Sequence, residues 1–204
     1  MLELRRWRAR SLRDDSGYTL VELMVVVVVF GVLATMVTVT LINIMQSSRK
    51  ADERSFRTTQ ANTAMERISR DIRVAIPVTT AEDDRVAMEV YRNGKCERHT
   101  YFLSAVAGQT QLNAATQAYA ASTSCLNATG TPGAAAVSTL VRHVDPAAAP
   151  IFVYQAAGAA GSLSAPVAAS SLADINAITV TVTVLGPEGT DNISMTTSAQ
   201  LRNS

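Results

Sequence analysis

Gly17-Tyr18-Thr19-Leu20-Val21-Glu22 is followed by an apolar stretch, Leu23–Met45, that contains no ionisable side chain. As a helix rising 1.5 Å per residue, this stretch covers roughly 35 Å, which is enough to cross a hydrocarbon core of about 30 Å. It is longer than the roughly 7 to 15 apolar residues of a secretory signal peptide. The sequence therefore predicts a membrane span.

Glu22 is an unfavourable residue at the start of this span. A carboxylate within a membrane segment costs roughly 2.5 to 3.5 kcal/mol, so a positively charged partner is expected. A cut between Gly17 and Tyr18 would create an α-amine in the first helical turn, and such an amine has a pKa of about 8. The helix dipole also favours an acidic residue there. Glu22 could pair with its own amine or with a neighbouring subunit's amine, and only the second pairing would direct assembly.

The basic leader, Gly17, the aromatic Tyr18, Glu22 and the apolar helix together resemble the class III signal of type IV pilins and pseudopilins. The resemblance implies that a membrane prepilin peptidase cuts the Gly17–Tyr18 bond and methylates the new amine of Tyr18. It also implies that Glu22 guides each subunit into a filament. Tyr18 replaces the family's usual phenylalanine, and Val39 stands where many major pilins have a proline, which argues against a major-pilin role. The alternative is a plain signal anchor with Glu22 at the lipid headgroup boundary.

The leader carries a strong positive charge. It has three acidic residues and five arginines, which are Arg5, Arg6, Arg8, Arg10 and Arg13. By the positive-inside rule these arginines keep the amino terminus cytoplasmic and place the carboxyl-terminal domain on the far side. Of 18 basic and 17 acidic residues in the chain, 13 and 14 follow Gly17. The mature chain therefore has a net charge of −1 and no global basic field for nucleic acid.

The two cysteines, Cys96 and Cys125, lie in the exported part, where a single disulfide is expected. The alternative is two free buried thiols. Metal binding requires more ligands than two cysteines and two scattered histidines supply, so no metal or cofactor is predicted. Glycine-rich phosphate loops and serine nucleophile motifs are missing from the sequence, and His99 and His143 are single histidines in or beside predicted strands. We therefore predict no catalytic residues and no enzyme activity.

The helix is predicted to continue beyond the span as an amphipathic segment. Apolar residues recur at spacings of three and four from Phe56 to Ala75, while charged residues, Asp71 among them, occupy the other positions. Pro77 is the expected stop. The predicted segments are a removable cytoplasmic leader at 1–17, a membrane and filament-core helix at 18–45, an amphipathic half-helix at 46–76 and an exported β-rich domain at 77–204.

A β-hairpin is the clearest local prediction in the exported domain. Val86–Arg92 and Lys95–Leu103 are joined by Asn93-Gly94, a pair that favours a two-residue type I′ turn. This turn sets Glu89 opposite Arg98, so that opposite charges meet on one face of the hairpin.

The rest of the exported domain alternates between predicted strands and loops. Ala105–Ala136 is interpreted as a long surface loop because it is rich in small and polar residues. The other predicted strands are Val137–Val144, Pro150–Tyr154, Ile178–Val184 and Ile193–Leu201. The sum is an α+β fold in which a long amino-terminal helix packs on an antiparallel sheet of roughly five to seven strands. The second half resembles PilW-type minor pilins and J-type pseudopilins.

These features predict a minor pilin or pseudopilin, a structural subunit that helps to initiate or build a pilus, competence or type II secretion filament. Expected partners are the prepilin peptidase, other major and minor pilins or pseudopilins, an inner-membrane assembly platform, and membrane lipid before assembly. The expected location is the cytoplasmic membrane with the carboxyl-terminal domain outside, and a surface filament or pseudopilus after assembly. The alternative is a single-pass membrane-anchored adhesin or binding domain. DNA binding would require a local basic patch, which residue spacing does not reveal.

Overall fold

One long helix, α1 (Leu20–Val74), precedes all of the strands. The computed structural model describes residues 19–119, 125, 131–148, 150–158, 161–186 and 191–202. By its internal contacts the chain divides into two compact units, Met1–Arg49 and Lys50–Ser204. The described part of the first unit consists of Thr19 and the beginning of α1, and the second unit contains the end of α1 and every described strand.

Nine strands follow the helix in the described residues. They are β1 (Ala75–Ala81), β2 (Arg85–Arg92), β3 (Lys95–Val106), β4 (Gln109–Ala118), β5 (Ala136–Val141), β6 (Phe152–Ala156), β7 (Ser162–Leu163), β8 (Ile175–Val184) and β9 (Ile193–Gln200). The first sheet has the order β1-β2-β3-β4-β5, the second has the order β7-β6-β8-β9, and all pairings are antiparallel. The predicted α+β fold is confirmed. The prediction of one sheet of roughly five to seven strands is wrong, because the strands form two sheets.

The end of α1 differs from the prediction. The helix ends at Val74 rather than near residue 76, and Pro77 lies inside strand β1. This position suits a proline because β1 is an edge strand of the first sheet, where a missing N–H costs no hydrogen bond to a second neighbour. The pairing of β1 with β2 also shifts register on both sides of Val78. Strand β1 was not among the predicted strands.

The β2–β3 hairpin forms as predicted. Glu89 pairs with Arg98 across the two strands, and the register is continuous along the whole hairpin. Asn93 and Gly94 have φ values of 52° and 77°, the left-handed conformation that a type I′ turn requires at both central residues. A local turn signal was sufficient here because two residues determine the alignment of both strands.

The long surface loop predicted at 105–136 is wrong in its first half. Strand β3 continues to Val106, and strand β4 returns along it from Gln109 after a turn at Ala107-Gly108. Both residues of this turn also have positive φ, 50° and 77°. The residues of β4 are small and polar, so alternating hydrophobicity does not reveal the strand. Its central position between β3 and β5 supplies the backbone partners that stabilise it.

The main core lies between the second half of α1 and the two sheets. The helix contributes Ala61, Ala64, Met65, Ile68 and Ile72. The β8 strand contributes every second residue along Ile178–Val184, and the intervening threonines are partly exposed, as the alternation predicted. The largest fully buried side chains are Tyr101, Tyr154 and Phe152.

Candidate assembly site

The start of α1 is capped by a threonine and carries the candidate assembly glutamate. The N–H of Glu22 donates to Thr19 Oγ1 at 3.3 Å, and the N–H of Leu23 donates to the Thr19 carbonyl at 3.1 Å. Threonine is a preferred N-cap residue because its hydroxyl satisfies an N–H that has no partner within the helix. Glu22 is therefore an exposed first-turn carboxylate at the positive end of the helix dipole. Gly17 and Tyr18, the predicted cleavage and methylation positions, lie outside the described residues.

The first part of α1 presents an apolar surface on all sides. Its large apolar side chains from Leu20 to Met45 are 48–76% exposed. A helix that is hydrophobic all round is stable only when lipid or protein covers it. By length and composition α1 can cross a membrane, since its most apolar 18-residue window has a mean hydropathy of 2.8. This apolar segment therefore requires lipid or other protein chains around it.

Hydroxyl groups within this apolar segment are satisfied by the helix itself. Thr35 Oγ1 donates to the Gly31 carbonyl at 2.6 Å, and Thr38 Oγ1 donates to the Ala34 carbonyl at 2.8 Å. Such bonds to the carbonyl four residues earlier leave no hydroxyl donor to desolvate when the helix enters an apolar environment. Glu22 is the one ionisable side chain between Thr19 and Met45, so it is the polar group of this segment whose charge the helix itself does not neutralise.

A buried polar cluster joins α1 to the β2–β3 hairpin in the second unit. Asp71 is 1% exposed, and its Oδ2 accepts hydrogen bonds from the ring Nδ1 of His99 at 2.5 Å and from the hydroxyl of Tyr101 at 2.6 Å. Its Oδ1 accepts a bond from the Arg92 guanidinium at 3.0 Å. On the other side of the ring, His99 Nε2 lies 3.1 Å from Glu97 Oε2. One helix residue is therefore bonded to three side chains of the hairpin.

Both ring nitrogens of His99 face carboxylate oxygens, so both must carry a proton for both contacts to be hydrogen bonds. Burial alone would lower the pKa of His99, but its hydrogen bonds and attraction to Asp71 and Glu97 outweigh burial and raise that pKa. Burial alone would likewise raise the pKa of Asp71, but bonds from His99 and Tyr101 and the charges of His99 and Arg92 hold it below its ordinary value. Both shifts favour the charged forms, so the geometry and the pKa directions together describe a buried ion pair between Asp71 and protonated His99.

Helical periodicity did not predict this cluster, because Asp71 was assigned to a position outside the apolar stripe. The periodicity does contain a signal: Asp71 lies three residues after Ile68 and seven after Ala64, both of which are buried. An acidic residue in phase with a buried helical face predicts a buried ionic partner. His99 is 3% exposed and lies in strand β3.

A second cluster lies on the opposite face of the hairpin. Cys96 and Cys125 are joined by a disulfide, with Cα atoms 5.2 Å apart, and they pack with Tyr119 and Ile76 apart from the main core. This disulfide attaches the segment that contains Cys125 to strand β3.

Next to the disulfide, Tyr119 connects to the cross-strand ion pair of the hairpin. Its hydroxyl donates to Glu89 Oε1 at 2.5 Å, and the Arg98 guanidinium donates to the same oxygen at 3.0 Å. The predicted cross-strand pair is thus part of a larger buried network. Within the described residues, no three histidine, cysteine or acidic side chains form a group that could hold a metal ion.

Comparison with protein families gives a match at the start of the chain. The family described as the prokaryotic N-terminal methylation motif matches residues 12–38, which contain Gly17, Tyr18, Glu22 and most of the apolar stretch. Comparisons with curated proteins and with solved structures each gave no match. The motif is the type IV pilin prepilin signal, and it implies processing by a prepilin peptidase and assembly with other pilins. The match covers residues 12–38 of the 204 and thus concerns the amino-terminal signal, while the long helix on antiparallel sheets has the α+β layout of a pilin-like fold.

Proposed function

We propose that the chain is a minor pilin or pseudopilin, present in few copies, that helps to initiate or build a type IV pilus-like filament. The observation that carries this proposal is the apolar surface of α1 from Leu20 to Met45, exposed on every side and headed by a single carboxylate at Glu22. In the membrane, lipid covers this surface. In a filament, the same surfaces of neighbouring subunits cover one another, and burial of the apolar area drives assembly.

Under this proposal each segment has one role. Residues 1–17 are removed by cleavage of the Gly17–Tyr18 bond, and the new amine of Tyr18 is methylated. Residues 18–45 form the membrane and filament core, residues 46–76 form the amphipathic half of the helix, and residues 77–204 form the exported domain. The continuous course of α1 through Val39, without a proline, favours a minor subunit over a major one. The assembly platform of the inner membrane and other major and minor subunits are the partners.

Glu22 acts in this scheme by pairing with the Tyr18 amine of a neighbouring subunit. An unpaired carboxylate at this depth costs roughly 2.5 to 3.5 kcal/mol, and the neighbour's amine removes that cost. The same pairing repeats from one subunit to the next along the filament, because every processed subunit offers one amine and one carboxylate. It therefore sets the axial position of each incoming subunit.

Processing is tested by intact-mass spectrometry of the chain extracted from membranes. We expect a mass that lacks residues 1–17 and includes one added methyl group. Fluorescence gives an independent readout because Trp7 is the single tryptophan of the chain and lies in the leader. The processed protein should show no tryptophan emission, and a chain that retains Trp7 would refute the proposal.

Assembly is tested by replacing Glu22 with alanine in cells and measuring incorporation of the chain into sheared surface filaments or pseudopili. We expect loss of incorporation with unchanged cleavage and membrane level. Asp52→Ala is the matched control, since it removes a carboxylate from an exposed position of the same helix beyond the apolar segment. Normal incorporation of Glu22→Ala would contradict the proposed role of Glu22. Absence of the natural chain from the filaments, with surface display unchanged in Glu22→Ala, would favour a membrane-anchored adhesin or binding domain.

A further inference from the structure

Strand β9 is an edge strand without the features that usually protect an edge. It has eight residues, none of them charged and none of them proline, and its register with β8 is continuous. The other edges differ. Strand β1 contains Pro77 and two register shifts, β5 has a register shift within its pairing, and β7 has only two residues. Long, regular and uncharged edges are the ones that pair with another chain.

The backbone groups available at this edge follow from the hydrogen bonds on its other side. The N–H of Leu201 donates to the Asn176 carbonyl at 2.8 Å, directly beyond the pair Gln200 and Ala177. Because bonded residues alternate along an antiparallel ladder, the odd-numbered residues of β9 bond to β8. The even-numbered residues from Ser194 to Gln200 therefore direct their N–H and carbonyl groups away from β8. In the described part of the chain, β9 pairs with no other strand.

A groove of about 640 Å³ lies between this edge and the last turns of α1. Met195, Thr196 and Thr197 line it from β9, and Met65 is among the residues that line it from the helix. Ser69 and Thr197 link the two walls, with their hydroxyl oxygens 3.1 Å apart. The groove thus combines an open strand edge with apolar side chains that a second strand could cover.

The charge of the groove indicates what kind of segment fits it. Arg70 and Arg73 line the helix wall three residues apart, both exposed, and neither forms an ion pair with a described residue. Glu66 is the single acidic residue of the lining. Neighbours at this spacing lie on one side of a helix, so the two guanidinium groups present positive charge toward the same segment. An acidic segment complements this wall, whereas a second copy of β9 would bring no acidic residue.

We propose that β9 and the α1 groove bind an extended acidic segment of another polypeptide chain, which adds to the second sheet as a fifth strand. Main-chain bonds to the even-numbered residues of β9 provide the affinity of such a strand addition, and side-chain positions provide its selectivity. Acidic side chains of the added strand that face the helix meet Arg70 and Arg73. The alternate side chains of that strand point away from the helix, toward the face that carries the exposed Ser194, Thr196 and Ser198.

The test uses the full chain in a mild detergent and a fluorescent eight-residue peptide, Thr-Val-Glu-Val-Glu-Val-Glu-Thr, with blocked ends. Binding is measured by fluorescence anisotropy, next to a peptide with lysine at each glutamate. Thr196→Pro removes one outward N–H without removing a backbone bond to β8, and Thr196→Ala is its matched control because both variants lose the hydroxyl contact of 3.1 Å with Thr181. Ser198→Pro is a second edge variant at the next outward position. Circular dichroism checks that each variant keeps its strands.

We expect the glutamate peptide to bind and the lysine peptide to bind at least about tenfold more weakly. A proline at the edge should abolish binding, and Thr196→Ala should leave it unchanged. Loss of both arginines in Arg70→Ala with Arg73→Ala should weaken binding by about tenfold, because exposed pairs contribute up to about 1 kcal/mol each. This binding does not depend on cleavage after Gly17, so its failure and failure of the filament role are separate results.

Three outcomes would overturn the proposal. The first is no binding of the glutamate peptide, and the second is equal binding of both peptides. The third is equal binding by folded proline and alanine variants. Light scattering of the detergent-solubilised chain tests a second copy as the occupant. A dimer that Thr196→Pro dissociates would replace the acidic segment with β9 of another copy.

Discussion

Replacing Asp71 with asparagine keeps the shape of the side chain and removes its charge. The carboxylate accepts bonds from His99, Tyr101 and Arg92, and it is 1% exposed. Removing one partner of a buried ion pair costs about 3 to 5 kcal/mol, since the remaining charge stays buried without compensation. Here the charge that loses its buried partner is the imidazolium of His99, which keeps only the partly exposed Glu97. The Arg92 bond contributes little to this figure because the side chain of Arg92 is 44% exposed.

The hydrogen bonds that Asp71 accepts support the same loss of stability. A hydrogen bond to a charged group contributes about 1.5 to 3 kcal/mol, and Asp71 accepts two such bonds from buried donors. In Asp71→Asn the carbonyl oxygen takes the place of Oδ2, so both buried bonds change from a charged to a neutral acceptor, and the amide NH2 group faces the Arg92 guanidinium, which is also a donor. The hydroxyl of Tyr101 cannot compensate by ionising, because burial raises its pKa far above its ordinary value. We expect the free energy of unfolding to fall by about 3 to 5 kcal/mol.

The pH dependence of this effect follows from the two pKa shifts. The pKa of His99 is raised above 6.5, so its stabilisation is complete below 6.5 and is lost as the pH rises through the raised value. The pKa of Asp71 is lowered below 3.8, so its stabilisation is complete above 3.8 and is lost as the pH falls through the lowered value. The difference between the natural chain and Asp71→Asn should therefore be largest between pH 3.8 and 6.5 and smaller in alkaline solution.

The assay is urea unfolding of the full chain in detergent, followed by the circular dichroism of the strands, at pH values of about 5.5 and about 9. Glu97→Gln is the matched control, since Glu97 bonds to the same histidine but its side chain is 27% exposed. We expect Glu97→Gln to cost less than about 1 kcal/mol. An Asp71→Asn variant as stable as Glu97→Gln, or one with the pH profile of the natural chain, would refute the assignment of a buried ion pair.

Two further predictions concern the hairpin and its disulfide. Replacing Cys96 and Cys125 together with serine should lower the free energy of unfolding by about 3.5 kcal/mol, because a link across 29 residues restricts the unfolded chain; urea unfolding with and without reductant measures this. An unchanged denaturation midpoint after confirmed reduction would contradict it. Gly94→Ala should cost about 1 kcal/mol, because φ is 77° and no atom lies near the added methyl group, whereas Gly161→Ala, also in open space but without positive φ, should be neutral. Equal unfolding temperatures for the two alanine variants would show that the positive φ of Gly94 does not cause the loss of stability.

Predictions of strands and turns from the sequence were most accurate where the local structure depends on residues that are neighbours in the chain. Asn93-Gly94 determines the β2–β3 register because a two-residue turn aligns every later pair, and the structure contains that register. The alternating valines and threonines of β8 likewise predict which side chains are buried.

Predictions failed where distant partners decide the structure. Strand β4 looks like a loop because its small and polar residues show no clear period, yet it lies between β3 and β5, which bond to both of its edges. Pro77 indicated the end of a helix but lies in a strand, since β1 is at the edge of the first sheet. The arrangement in two sheets depends on the same long-range pairings.

By itself the sequence determined the apolar helix and the carboxylate at Glu22, because hydropathy and position along a helix are local properties of the chain. Tertiary structure alone decided which side chains bond to Asp71, since His99 and Tyr101 come from a hairpin 28 and 30 residues away. It also decided that β9 has an open edge beside Arg70 and Arg73, because strand order is set by contacts between distant segments and not by the composition of any one strand.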